Sequence, residues 1–375
     1  MSLPAPQGSI CLVAGSAIPD LAQAISDYIN VPLLDCVVGR FNDGEISIEI
    51  RDNVRNNHVF IIQSTCANVN DTTIELLLMA RTFVRANAQQ ITVVIPYIGY
   101  SRQDTGATNN VATVAGADVV MLLQAAGVTD IISLNLHSDQ IGGFFSGSVD
   151  NLKPWLVFVE PILKLAVSEM DDGAAITLVA PSAKAVPRVQ EVRAKLLEAG
   201  LDTNLAVIIR DVTPLQSVPD ASLTAEALIQ TKAKLSRTMV GEEYVVDAHC
   251  IMIDDIAFSG NTLFGTVECL DAAGARSVRA FVTHPVFSQP TCMATIAALD
   301  PLVALYVTDS IPLSSRDDVP DKVHVVTTAE IFGEAIIRTY SSEVLPNNIS
   351  SRDILDLSSS SLTASPRRRR FHLNQ

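Results

Sequence analysis

The chain has 375 residues, 48% hydrophobic and 18% charged, which supplies one or two sizeable cores and excludes a chain disordered throughout. Asp and Glu outnumber Lys and Arg by 41 to 26, and the formal net charge of -15 argues against non-specific nucleic-acid binding, which needs a phosphate-neutralising basic face. Cys11, Cys36, Cys66, Cys250, Cys269 and Cys292 make no Cys-x-x-Cys pair and are too sparse for a disulfide scaffold, so buried thiols in a reducing, cytoplasmic setting are expected.

No basic region followed by a long apolar run opens the chain, so no secretory signal is expected. No run is long enough to cross a bilayer, so no membrane partner is expected either. In chain order the pattern predicts strands over Ile10–Ala14 and His58–Ser64, then a helix over Thr72–Ala86 with Asp71 as its N-cap. A strand over Ile91–Ile98, a helix over Val111–Ala126 and a strand over Ile131–His137 follow. The alternation pauses in the Gly-, Ser- and Asp-rich stretch Ser138–Asn151. It resumes with strand Ala175–Ala180, helix Pro187–Ala199, strands Leu205–Ile209 and His249–Ile256, and helix Thr262–Ala273. Strands Val278–His284 and Val303–Thr308 and helix Thr328–Ser341 complete the series. Near-continuous apolar strands alternating with helices indicate α/β units with mainly parallel sheets covered on both faces.

The pause places a boundary between a first domain, 1–150, and a second, 151–341. From 342 to 375 the composition turns to Ser, Asn and Arg, and a disordered tail is expected. Its Arg367–Arg370 cluster reads as a solvated charge run, or as a signal for an anionic partner.

Four segments can carry chemistry. Arg40–Glu45 contains Asp43, Gly44 and Glu45, which by themselves indicate a turn. Pro96–Asp104 follows an apolar strand, and there Arg102 offers a planar fork for phosphate while Gln103 offers amide donors. In Leu134–Gln140, His137 at a strand end can ligate a metal or orient a phosphate. The fourth segment, Ile251–Thr262, is the most informative. An apolar strand ends in Asp254 and Asp255, then Ser259, Gly260, Asn261 and Thr262 open a helix. Backbone N–H groups at a helix start favour a phosphate, and the two acids can accept sugar hydroxyls or hold a hydrated Mg²⁺.

Together and in this order the segments resemble the ribose-phosphate diphosphokinases, also called phosphoribosyl pyrophosphate synthetases, from about Ile10 to about Ser310. Arg40–Glu45 is similar to the family's Phe-x-Asp-Gly-Glu turn, Val59–Thr65 to its Ile-Ile-Gln-Ser strand, and Pro96–Asp104 to its Pro-Tyr-x-x-Tyr-x-Arg-Gln-Asp block. Asn135–Phe145 is similar to its Asp-Leu-His-x-x-Gln block, Ser148–Leu152 to its Val-Asp-Asn-Leu, and Asp254–Thr262 to its phosphoribosyl loop. The resemblance implies two phosphoribosyltransferase-like domains, each with a mainly parallel sheet flanked by helices, assembled into homo- or hetero-oligomers. It implies diphosphoryl transfer from Mg-ATP to ribose 5-phosphate, giving phosphoribosyl pyrophosphate and AMP. By position, Asp43, Gly44 and Glu45 would approach adenine from a neighbouring subunit, and Arg102 and Gln103 would contact ATP. His137 would bind Mg²⁺, and Asp254, Asp255 and Ser259, Gly260, Asn261 and Thr262 would hold ribose 5-phosphate.

The departures from the family fall on the chemistry. Thr105–Thr108 stand where active members are basic, and Ser182 stands where they carry a metal-binding Asp. No Lys occurs between Leu201 and Thr231, where the catalytic Lys belongs, and Arg210 is the candidate substitute. Phe258 replaces a loop carboxylate and Asn261 a Gly, and Phe258 is expected to fill the ribose pocket. The chain thus reads as a family enzyme with impaired activity or, alternatively, as a catalytically silent paralogue that binds and regulates active subunits.

Overall fold

A computed structural model describes residues 8–104, 113–210, 237–314 and 316–341. Two parallel sheets dominate. The first has strand order β1-β4-β5-β6-β7, from Ile10–Ala14, His58–Ile62, Gln90–Ile95, Asp130–Leu134 and Ser148–Leu152, every neighbouring pair parallel. Between β1 and β4 the chain makes a separate antiparallel hairpin, β2 (Cys36–Arg40) and β3 (Ile46–Ile50). The second sheet runs β10-β9-β8-β11-β12-β13-β14. Its strands are β8 (Ile176–Ala180), β9 (Asn204–Arg210), β10 (Arg237–Val240), β11 (His249–Ala257), β12 (Ser277–Pro285), β13 (Leu302–Thr308) and β14 (Val323–Val326). Only β10 runs antiparallel to its neighbour.

All nine apolar runs become strands of these sheets. The half-exposed hairpin strands, the polar β7 and the four-residue β10 and β14 were not anticipated, because none presents a long continuous apolar run. Helices α1 (Pro19–Ile29), α2 (Val69–Arg85), α3 (Ala115–Ala126), α4 (Trp155–Ser168), α5 (Val186–Glu198), α6 (Asn261–Ala272), α7 (Cys292–Ala298) and α8 (Ala329–Ser341) cover the faces. The cap of α2 is Asn68 rather than Asp71, which lies in the first turn, where its charge suits the helix dipole and pairs with Arg40 at 3.2 Å. Among the described residues no helix is long and apolar enough to cross a membrane.

Side chains alternate across each strand, so one sheet feeds two cores. Cys11 and Val13 of β1 pack with α2 and α3, while Leu12 packs the other way. In β11, Cys250 and Met252 join the outer core with α6, whereas Ile251 and Ile253 face inward. The inward faces of both sheets share one core, built from Leu12, Phe60, Trp155, Phe158, Leu178, Ile251, Phe281 and Phe332 among others. Helix α8 closes it by packing on α1, and Tyr340 donates to the Gly8 carbonyl at 3.0 Å.

Polar ties cross the same seam. Ser64 donates to the Ser310 carbonyl at 2.6 Å, and Asn135 Nδ2 to Thr283 Oγ1 at 2.8 Å. Buried His284 donates from Nε2 to the Leu134 carbonyl at 3.0 Å, which leaves Nδ1 to accept from Ser310 Oγ at 2.9 Å. This arrangement needs a neutral ring, and burial lowers the pKa of His284 from 6.5 to about 4. Burial does the same to His58, which is stacked on Phe60 and bonded to Thr92. Below pH 6.5 the unfolded chain binds protons that the folded chain refuses, so stability declines as the pH falls toward 4. Thermal denaturation at pH 7 and pH 5 is expected to give a lower midpoint at pH 5, with a shallower dependence in His58→Gln.

Candidate active site

The second sheet contains a switch point. The chain leaves β8 toward β9 on one side, whereas β11 continues to β12 and β13 on the other, and β8 and β11 are direct neighbours. Crevices at the carboxyl ends of such strands bind ligands in open α/β sheets. Asp254 and Asp255 lie near the carboxyl end of β11, both buried.

Adjacent buried carboxylates demand counter-charge. Arg188, from the first turn of α5, places NH2 3.1 Å from Asp255 and NH1 3.9 Å from Asp254. Its Nε donates to Asn135 Oδ1 at 3.1 Å. His137, which follows β6 of the first sheet, meets Asp255 Oδ2 through Nδ1 at 2.8 Å. The two acids are driven apart. Burial, and then the charge of Asp255, raise the pKa of Asp254. Burial also opposes ionisation of Asp255, but the His137 hydrogen bond and Arg188 outweigh it and hold that carboxyl below its usual range.

After β11 the chain turns sharply. Gly260 caps α6 with φ 78°, in the left-handed region, and a Cβ there would run into the Phe264 ring. The turn is held from beneath: the Ser288 N–H donates to the Phe258 carbonyl at 2.7 Å, and Cys292 Sγ to the Ser259 carbonyl at 3.4 Å. Arg102, Asp254, His137, Phe258, Ser259, Gly260 and Thr262 line one cavity of about 390 Å³.

Phe258 does not fill this cavity. Its ring stands at the wall, 38% exposed, with the Arg102 guanidinium stacked 3.7 Å from its centroid. Arg102, from the first sheet's side, covers the ring at the cavity wall, which leaves the hollow open.

Other anticipated residues lie elsewhere. Asp43, Gly44 and Glu45 form the exposed tip of the β2–β3 hairpin, where the Glu45 N–H bonds Asp43 at 3.1 Å, and none of the three lines the cavity. Gln103 is exposed on the turn with Arg102, and its N–H bonds the Tyr100 carbonyl. Asn261 is the exposed first residue of α6. Ser182 opens a short 3-10 turn after β8. Arg210 ends β9, and its side chain lies outside the described residues, as do Thr105–Thr108.

Arg188 escaped the sequence reading, although a signal existed. A cation in the first turn of a helix opposes the macrodipole, so it needs another partner. Arg188→Met is expected to destabilise the fold by about 3 kcal/mol, because it strands two buried carboxylates. Urea denaturation checks this, and adding Asp254→Asn is expected to recover part of the loss.

Residues 10–127 match the N-terminal domain of ribose phosphate pyrophosphokinase, and residues 148–293 match the phosphoribosyl transferase domain. Ribose-phosphate pyrophosphokinase of Haemophilus ducreyi is 38% identical over 336 residues, covering 89% of this chain and 96% of its own length. That of Haemophilus influenzae is 37% identical over 336 residues, covering 89% of this chain and 97% of its own. The crystal structure of phosphoribosylpyrophosphate synthetase from Mycobacterium smegmatis superposes with a TM-score of 0.75 at 26% identity, over 89% of this chain and 99% of that one. With both family domains matched in order and relatives alike along nearly their whole length, the chain belongs to the ribose-phosphate pyrophosphokinase family.

Proposed function

We propose that this chain carries the family's reaction at an impaired rate: diphosphoryl transfer from Mg-ATP to the anomeric hydroxyl of ribose 5-phosphate, giving phosphoribosyl pyrophosphate and AMP. The observation that carries the reading is the open cavity between Asp254 and the Ser259–Thr262 turn. In it the backbone N–H groups and hydroxyls of Ser259, Gly260, Asn261 and Thr262 hold the 5-phosphate. Asp254 accepts from a ribose hydroxyl, while Asp255 orients His137. Arg102 and Gln103 meet ATP, Arg210 stands in for the missing Lys, and Asp43, Gly44 and Glu45 serve the adenine site of a neighbouring family subunit.

His137 fits a Mg²⁺ role. Its Nδ1 donates to a carboxylate, which leaves Nε2 as a ligand, the usual arrangement of metal-binding imidazoles. Bound with ATP, Mg²⁺ would neutralise oxygen charge on the phosphates. A second protein-held ion does not fit. Ser182 offers only a hydroxyl, and among the described residues no group of three or more His, Cys, Asp or Glu side chains is placed to hold a metal ion.

The impairment follows from how the cations are used. Diphosphoryl transfer depends on positioning and charge neutralisation. Here Arg102 lies on Phe258 and Arg188 is committed to the two acids. The same observation favours the second reading, a silent paralogue that regulates active subunits. AMP release from purified protein with Mg-ATP and ribose 5-phosphate tests both. The rate is expected to fall about a hundred-fold or more below that of an active relative. Ser182→Asp combined with Phe258→Asp is expected to raise it. A rate equal to the active relative's overturns the impairment. No release above an Arg102→Ala control, together with a changed rate when an active relative is mixed in, selects the silent paralogue.

A further inference from the structure

The cavity has two chemically different ends. One is the turn Ser259–Thr262 at the start of α6, with Asp254 beside it. The other is the Phe258 ring with the Arg102 guanidinium stacked on it. A sugar phosphate satisfies the first end and leaves the second uncovered. The uncovered wall offers no hydrogen-bond acceptor to a sugar hydroxyl, and the buried acid nearest His137, Asp255, is already bonded to His137 and Arg188.

Phe258, in the cavity lining, is a large apolar side chain left 38% exposed. The Ser288 N–H bond to its carbonyl, and a second at 3.2 Å from Ser288 Oγ, fix the backbone that carries it. The ring and the guanidinium over it therefore make a platform at the cavity wall, aromatic and cationic, that exists before any ligand arrives. Aromatic rings and guanidinium planes are the surfaces on which nucleobases stack. A preorganised platform loses little entropy on binding. The cavity, about 390 Å³, falls within the range of small-molecule pockets.

We infer that this pocket takes a nucleoside 5′-monophosphate, its phosphate at Ser259–Thr262 and its base against the Arg102–Phe258 pair, in competition with ribose 5-phosphate. The inference rests on the assignment of that turn as the phosphate site. It names what the Phe258 substitution does: it exchanges selectivity for a bare sugar for selectivity for a base. Binding would place a nucleotide where the acceptor sugar belongs, so the chain would respond to the nucleotide pool through its own acceptor site.

Calorimetric titration of the full chain with uridine 5′-monophosphate, ribose 5-phosphate and inorganic phosphate, without ATP, tests this. Uridylate keeps the readout away from a site for adenine. It is expected to bind about ten-fold or more tightly than ribose 5-phosphate, the gain of one stacked base. In Phe258→Ser that advantage collapses while phosphate binding persists. Phe258 is partly exposed, so the variant keeps its fold, checked by an unchanged melting midpoint. Thr262→Ala is expected to weaken all three ligands. Ribose 5-phosphate binding as tightly as uridylate, or an unchanged ratio in Phe258→Ser, overturns the inference and leaves the phosphate site standing. Absence of binding by all three ligands overturns the phosphate site and the inference together.

Discussion

The structure depends on how two adjacent carboxylates are neutralised where β11 ends. Asp254 and Asp255 are buried, and bare anions cannot remain so. Arg188 supplies the cation and His137 a hydrogen bond, and Asn135 fixes the Arg188 fork. These partners come from different places: Arg188 from α5 after β8, His137 and Asn135 from the end of the first sheet. Arg188 meets the acids within the second sheet's own layers, but the His137 and Asn135 contacts complete the cluster only when the two sheets are docked. Closing the shared core and assembling the site are one event.

The rest of the seam obeys the same demand. Each sheet turns one face toward the common core, so the faces must meet without leaving polar groups stranded between them. Ser64, Ser310, His284, Thr283 and Asn135 meet that demand across the junction. Helix α8, last of the described chain, returns to pack on α1. The cavity is thus carried on a rigid scaffold rather than on loops alone, as a site for positioning chemistry requires.

Among the described residues, the two arginines at the site are already engaged. Arg188 answers the carboxylates, and the Arg102 guanidinium lies over the Phe258 ring, 3.7 Å from its centroid. The cavity has the Ser259–Thr262 turn at one end and the Phe258 ring with Arg102 at the other. An aromatic face and a carboxylate select different ligands, so Phe258 in the lining bears directly on what the cavity accepts.

Much of this was legible in the sequence. Strands such as His58–Ile62 and Ile176–Ala180 are apolar at every position because both faces are covered, and that pattern needs no tertiary knowledge to read. Asp254 and Asp255 were legible because two acids at the end of such a run contradict it. The hairpin strands β2 and β3 and the short β7 and β14 were not legible, since a half-exposed strand has no continuous apolar signal. Arg188 and the posture of Phe258 were beyond it for a stronger reason. Sequence spacing fixes neighbours within an element, but the partners here are separated by 67 residues between Arg188 and Asp255 and by 156 between Arg102 and Phe258. By itself the sequence determined the α/β alternation and the residue types at the pocket. Only the tertiary structure decided that the arginine covers the phenylalanine and the cavity stays open, because a stack or an ion pair between distant segments exists only once packing has brought them within van der Waals reach.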